Sequence, residues 1–250
     1  MRLINVVQLG QVEYGMALGL QRSLVELRKA GKIADTLLLL EHPPVITLGR
    51  NADRANVLAS EEALKRQGVA LFECDRGGDV TYHGPGQLVG YPIFDLRGFQ
   101  PRLGAVEFVR RVEEALIRTC ADFSIESERV AGRTGVWTRG GKVGAIGVHI
   151  SRAVTSHGFA LNVSTALDAF HLIVPCGISD KPVTSMAKEL GRAPELDEVA
   201  QSVARNFGRV FSSQVLWVET LEALVGRTVG VPLKLPAELR ALHEEESFKA

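Results

Sequence analysis

The chain predicts an α+β (mixed α/β) fold, a single domain in which a mixed sheet is covered by helices. Three observations carry that prediction. The 250 residues are 46% hydrophobic, enough to bury a full core. Short β-type segments follow one another across short turns, while amphipathic helical patterns fall early, in the middle and late. No repeat, low-complexity segment or linker interrupts them, so residues 1–250 read as one domain.

Glu13 to Ala30 sets Tyr14, Ala17, Leu18, Leu24, Val25 and Leu27 at helical spacing, and Gly31 ends it. Thr36 to Glu41 reads as a buried strand, and Val45 to Leu48 as another beyond the break at Pro43-Pro44. Ser60 can cap a short helix from Glu61 to Gln67, which Gly68 stops. Val69 to Cys74 leads as a strand into a glycine-rich loop, and Gln87 to Phe94 leaves it as another. A second long helix is predicted from Ala105 to Ala121. Gly135 to Thr138, Lys142 to Ile150 and Gly158 to Val163 form a meander, separated by Arg139-Gly140-Gly141 and by Ser151 to His157. Asp197 can cap a helix with Val199, Ala200, Val203, Phe207, Val210 and Phe211 on its apolar face. Gln214 to Val218 suits a late strand. The tail from Pro236, residues 236–250, is poor in apolar residues and is expected to fray.

The formal net charge is zero, which argues against a general nucleic-acid or membrane-surface binder. Cys74, Cys120 and Cys176 are far apart, with no C-x-x-C pair and no zinc-finger spacing. An odd, sparse cysteine count suits a reducing compartment. The first residues lack the apolar core of a signal peptide, and apolar runs such as Leu37 to Leu40 are far short of the ~20 residues of a membrane helix. The expectation is a soluble, cytoplasmic protein.

The run Arg76-Gly77-Gly78-Asp79-Val80-Thr81-Tyr82-His83-Gly84-Pro85-Gly86-Gln87 is the most informative stretch. Two turn-forming clusters bracket Asp79 to His83, where a surface turn needs only one. Glycine lets a backbone approach a ligand closely, so the run can serve as a pocket wall as well as an ordinary loop. Lys142 stands among Gly140, Gly141, Gly144 and Gly147 at the start of an otherwise apolar strand. Taken alone it is equally a strand-edge lysine that guards against aggregation. Ala145 and Gly147 leave volume on that strand around Ile146, and Gly158 and Ala160 share a face of the next strand on either side of Phe159. Two such strands side by side could floor a narrow apolar slot suited to an alkyl chain.

Cys74 and Cys120 fit small buried hydrophobes, whereas Pro175 and Gly177 fix Cys176 in an irregular turn that can present a thiol. His83 is either a reactive group or a hydrogen-bonded loop residue, and His149 and His157 can orient strands. Together the three histidines match no metal-ligand spacing. No G-x-S-x-G elbow, dinucleotide fingerprint or phosphate-binding P-loop occurs.

Four motifs in series make the chain recognisable. They are Glu41-His42-Pro43-Pro44-Val45-Ile46-Thr47-Leu48-Gly49-Arg50, the glycine-rich run, the segments around Lys142 and His157, and Pro175-Cys176-Gly177-Ile178. Over about residues 35–211 the chain resembles the lipoyl(octanoyl) transferases, the octanoyl-[acyl carrier protein]:protein N-octanoyltransferases. The resemblance implies a biotin/lipoate protein ligase-like fold, related to the core of class II aminoacyl-tRNA synthetases, and one catalytic domain over residues 1–250. It implies transfer of an octanoyl group from octanoyl-acyl carrier protein to a lysine of lipoyl domains. Acceptors would be the E2 subunits of 2-oxoacid dehydrogenases and the glycine cleavage H protein.

By the same resemblance Cys176 would be the nucleophile that carries a thioester acyl-enzyme. Lys142 would lower its pKa and act as general acid and base. Arg76 to His83, Ala145 to Gly147 and Gly158 to Ala160 would line the acyl pocket. No cofactor and no metal are implied. Phe159 stands where leucine is common in the family, and Pro182-Val183-Thr184-Ser185 departs from its usual glycine-containing form. Two rival readings remain, an ATP-dependent lipoate or biotin ligase and a non-catalytic protein that binds acyl groups or lipoyl domains. A ligase would make an acyl-adenylate and would need no cysteine.

Overall fold

A computed structural model describes residues 2–175 and 181–225. Cys176, Gly177 and Ile178, and the tail from Pro236, lie outside the described residues. The larger sheet has eight strands in the order β11-β1-β2-β6-β10-β9-β8-β7. They are β1 (Arg2–Gln11), β2 (Asp35–Glu41), β6 (Gln87–Ile93), β7 (Glu128–Val130), β8 (Arg133–Thr138), β9 (Gly141–Ser151), β10 (Val154–Asn162) and β11 (Ser213–Trp217). β1 is parallel to both β2 and β11, and the other pairs are antiparallel, so the sheet is mixed as the sequence predicts. A smaller sheet has the order β4-β3-β5, with β3 (Val45–Leu48), β4 (Ala70–Glu73) and β5 (Val80–His83).

Helices cover both faces of the large sheet. α1 (Tyr14–Lys29) buries Ala17, Leu20, Leu24 and Val25 against Leu38, Leu40, Val89 and Ala160. On the opposite face α3 (Ala105–Asp122) and α5 (Leu196–Val210) bury Phe108, Val112, Leu116, Val203 and Phe207 with Phe159, Leu161 and Val143. Strands β2 and β6 are buried along nearly their whole length, which explains why Leu37 to Leu40 is apolar without alternation. α2 (Glu61–Arg66) packs Leu64 over the small sheet, and Ser60 accepts a bond from the Ala63 N–H as its cap. α4 (Met186–Leu190) and α6 (Leu221–Val225) are single short turns. No helix among the described residues is long and apolar enough to cross a membrane.

Three readings need correction. Val80 to His83 is a buried strand inside the glycine-rich run, because its β-branched and aromatic residues pair with Val45 to Leu48. α5 starts at Leu196 with Glu195 at its cap position. Asp197 sits in the first turn and accepts a hydrogen bond from Gln8 Nε2 at 2.7 Å. Lys142 is not at a sheet edge, since β9 is flanked by β10 and β8.

Candidate active site

The two sheets face one another across a cleft. Its floor is the pairing of β9 with β10, in which Ala145 lies opposite Ala160 and Gly147 opposite Gly158. Side chains alternate along a strand, so these four share one face while Ile146 and Phe159 turn to the larger core. The Phe159 ring stacks obliquely on Phe207 at 5.7 Å. A Cβ on Gly147 would come within 2.5 Å of the Gly77 carbonyl oxygen, and one on Gly158 would overlap the Gly90 carbonyl. Only glycine lets the backbone of the Arg76-Gly77-Gly78 loop close over the floor, and the Gly77 N–H donates to the Val148 carbonyl at 3.0 Å.

The opposite wall is polar and buried. Arg76 donates to the Thr47 carbonyl at 2.7 Å, to Thr47 Oγ1 at 2.9 Å and to the Asp79 carbonyl at 2.7 Å, which locks the loop. His83 Nδ1 donates to Gln87 Oε1 at 2.7 Å, and His42 Nδ1 donates to the Val12 carbonyl at 2.6 Å. Those partners fix both imidazoles as Nδ1–H tautomers, leaving His42 Nε2 to accept from the Tyr91 hydroxyl at 2.7 Å. Burial pushes His83 down to about 3, helped by the charges of His42 and Arg76, and pushes His42 down to about 4. Both are neutral near pH 7. The Tyr14 and Tyr91 hydroxyls are pushed up by burial and stay protonated.

The cleft is narrow, a cavity of about 50 Å³ within a hollow of about 470 Å³ that includes open solvent at its mouth. Of the residues predicted for an acyl pocket, it brings together Arg76, Gly77, Gly78, Thr81, His83, Ala145, Gly147, Gly158 and Ala160, and it is also bordered by Ile146 and Phe159, whose side chains pack in the larger core. Val80 and Tyr82 do not line it; alternation along β5 turns them to the other side of the small sheet, where Tyr82 meets Phe170. Asp79 faces away as well, accepting from Asn56 Nδ2 at 2.6 Å and from the Asp53 N–H. Tyr14, Val89, Tyr91 and His157 line the cleft without having been assigned to it from sequence. The alternation of Val89 with Tyr91 was the available signal for two of them.

Lys142 lies three residues before Ala145 on β9 and is buried. Its N–H donates to the Pro182 carbonyl at 2.9 Å, and its carbonyl accepts from the Thr184 N–H at 3.0 Å. Its ammonium is 5.2 Å from the centre of the Trp137 ring, with the Lys181 ammonium 5.5 Å from that ring. A Cβ on Gly135 would meet Lys142 Cε at 2.7 Å, so this glycine gives the lysine stem its channel. Buried Glu113 anchors that glycine by accepting its N–H at 3.0 Å. The Thr184 carbonyl also accepts from Asn162 Nδ2 at 2.9 Å, tying the segment after Cys176 to the end of β10. Cys120 is fully buried, and burial pushes its thiol up to about 11, so it is inert. Half-buried Cys74 donates to the Leu48 carbonyl.

Solved structures of similar architecture include lipoate ligases. A putative lipoate protein ligase from T. acidophilum with bound lipoic acid superposes with a TM-score of 0.71 at 15% identity, covering 98% of this chain and 95% of that one. Lipoate-protein ligase A bound with ATP gives 0.72 at 16% identity over 90% and 93%. A profile of the lipoyl protein ligase A/B catalytic domain matches residues 13–208. The octanoyltransferase of Koribacter versatilis is 61% identical over 247 residues, 98% of each chain, and that of Acidobacterium capsulatum is 62% identical over 231 residues, 87% of this chain and 94% of that one. The sequence relatives therefore define an acyltransferase enzyme, and the chain belongs to the lipoyl protein ligase A/B catalytic domain family, among its octanoyltransferases.

Proposed function

We propose that this enzyme takes an octanoyl group from octanoyl-acyl carrier protein onto Cys176 as a thioester and passes it to a lysine of a lipoyl domain. The acceptors are the lipoyl domains of 2-oxoacid dehydrogenase E2 subunits and the glycine cleavage H protein. The observation that carries the reading is the floor of the cleft, where Ala145·Ala160 and Gly147·Gly158 form an apolar trough closed by a glycine loop. Such a trough fits an unbranched alkyl chain, and each methylene it buries contributes about 0.8 kcal/mol. Octanoyltransferases that are 61–62% identical to this protein support octanoyl as the acyl group.

Lys142 serves as general acid and base in this reading. It takes the thiol proton as Cys176 attacks the donor thioester and returns it to the leaving pantetheine sulfur. In the second half it takes the proton of the attacking lysine amine and delivers it to Cys176 as the amide forms. The first exchange converts one thioester into another and the second runs downhill to an amide, so no ATP is consumed.

Intact-protein mass spectrometry after incubation with octanoyl-acyl carrier protein, without ATP, tests the proposal. We expect a gain of one octanoyl group that hydroxylamine removes and that Cys176→Ser abolishes together with transfer. Activity that appears only with ATP and free octanoic acid would overturn it in favour of a ligase.

A further inference from the structure

The cleft has two ends. Lys142 stands before Ala145 on β9, so in the reading above the reacting carbonyl lies at the Ala145·Ala160 end and the chain runs towards Gly147·Gly158. The next pair along the two strands is Val148 with His157; plain alternation would turn both away from the cleft, but the backbone at His157 is left-handed and His157 borders the cleft. From Ala145 to Val148 the strand advances about 10 Å, on the order of an extended eight-carbon chain.

His157 is 2% exposed and borders two spaces. One is the cleft. The other is a hollow of about 560 Å³ including its mouth, bordered by Leu18, Gln21 and Val25 of α1 and by Asp75, His149 and Ser156. The imidazole is pinned between them. Its Nε2 donates to Asp75 Oδ1 at 2.8 Å, while the backbone N–H of His157 donates to Gln21 Oε1 at 2.7 Å. Tyr91 meets the ring edge-on at 6.4 Å. The backbone at His157 has φ of 54°, a left-handed conformation that disfavours a side chain, yet a large one is present. Asp75 belongs to the segment that enters the glycine loop, so the contact also ties that loop to β10.

We propose that His157, held by Asp75, is the distal stop of the acyl cleft and sets the longest chain that the enzyme transfers. The inference rests on the cleft being the octanoyl site. It makes His157 a specificity-determining residue, distant from the bond that breaks.

The test is the chain-length profile of transfer from acyl-carrier-protein thioesters of six to fourteen carbons. His157→Gly removes the stop and suits the left-handed backbone. It should raise the ratio of kcat/KM for decanoyl over octanoyl by about tenfold or more. His157→Phe loses the bond to Asp75 yet keeps the bulk, so any rise should stay well below that of His157→Gly. Asp75→Ala, at a half-exposed position that carries little folding risk, should raise it by about threefold by freeing the imidazole. An unchanged ratio in folded His157→Gly, or equal shifts in the Gly and Phe variants, would overturn the stop. Should His157→Gly not fold, an unchanged ratio in Asp75→Ala would overturn it alone. A wild-type protein that transfers no acyl chain would instead overturn the reading of the cleft, and the stop with it.

Discussion

The two walls of the cleft are built on opposite plans. The floor is made by omission: Ala145, Gly147, Gly158 and Ala160 contribute almost no side-chain volume, and main-chain pairing between β9 and β10 fixes their shape. The polar wall is made by commitment: Arg76, Thr47, His83 and His42 are polar and buried, and hydrogen bonds hold them, including those of the two histidines to Gln87 and Tyr91 of β6. A floor of this kind fails by gaining atoms. A wall of this kind fails by losing a partner or changing its charge.

The floor gives the larger expected effect. Gly147→Val would drive a Cβ into the Gly77 carbonyl and two methyls into the trough, lifting the loop from Val148. We expect kcat/KM for octanoyl transfer to fall by roughly three orders of magnitude, about 4 kcal/mol of transition-state stabilisation. Steady-state kinetics on the folded variant checks this, and transfer within tenfold of wild type would show that the trough does not hold the chain.

The contrast also explains what could be read in the sequence. The floor was legible, because small residues two apart on successive strands, between glycine turns, leave few alternatives to a slot. The long helices and β2 were legible for a similar reason, since 3.6-residue periodicity and a continuous apolar run report burial directly. The polar wall was not. His42 and His83 are 41 positions apart and meet edge-on at 5.7 Å only because β3 and β5 pair. β5 itself hid inside a glycine-rich run, and its alternation decides that Thr81 and His83 face the cleft while Val80 and Tyr82 do not. β1 escaped notice as well: its pairing with β2 and β11 joins segments from both ends of the described chain. Tyr14 read as one more apolar position of α1, since periodicity reports a face without reporting what the face meets.

Acid should weaken the polar wall before it touches the floor, which has no titratable group. In the unfolded chain His42 and His83 titrate near 6.5, while burial holds them at about 4 and about 3 in the fold. Below pH 6.5 the unfolded state therefore binds more protons, and stability falls as pH falls. The contribution is fully present above that pH and is lost progressively towards pH 4 and then 3. Between pH 7.5 and 5.5 the two histidines together should cost roughly 3 kcal/mol of unfolding free energy. Urea denaturation at the two pH values measures it, and a flat profile would mean that these imidazoles are not held neutral.

The smallest effect tests whether the wall is complete without a ligand. The Tyr14 hydroxyl is buried at the edge of the cleft and has no hydrogen-bond partner of ordinary geometry among the described residues, although the Cys74 thiol is beside it. An unsatisfied buried hydroxyl costs free energy that a phenyl ring of the same shape does not. Tyr14→Phe should therefore raise the unfolding free energy by about 1 kcal/mol, read by the same urea titration. Every other polar group of the wall that carries a bond should respond in the opposite direction. A Tyr14→Phe protein less stable than wild type would place a bonded partner on that hydroxyl and make Tyr14 a member of the network that holds His42 and His83.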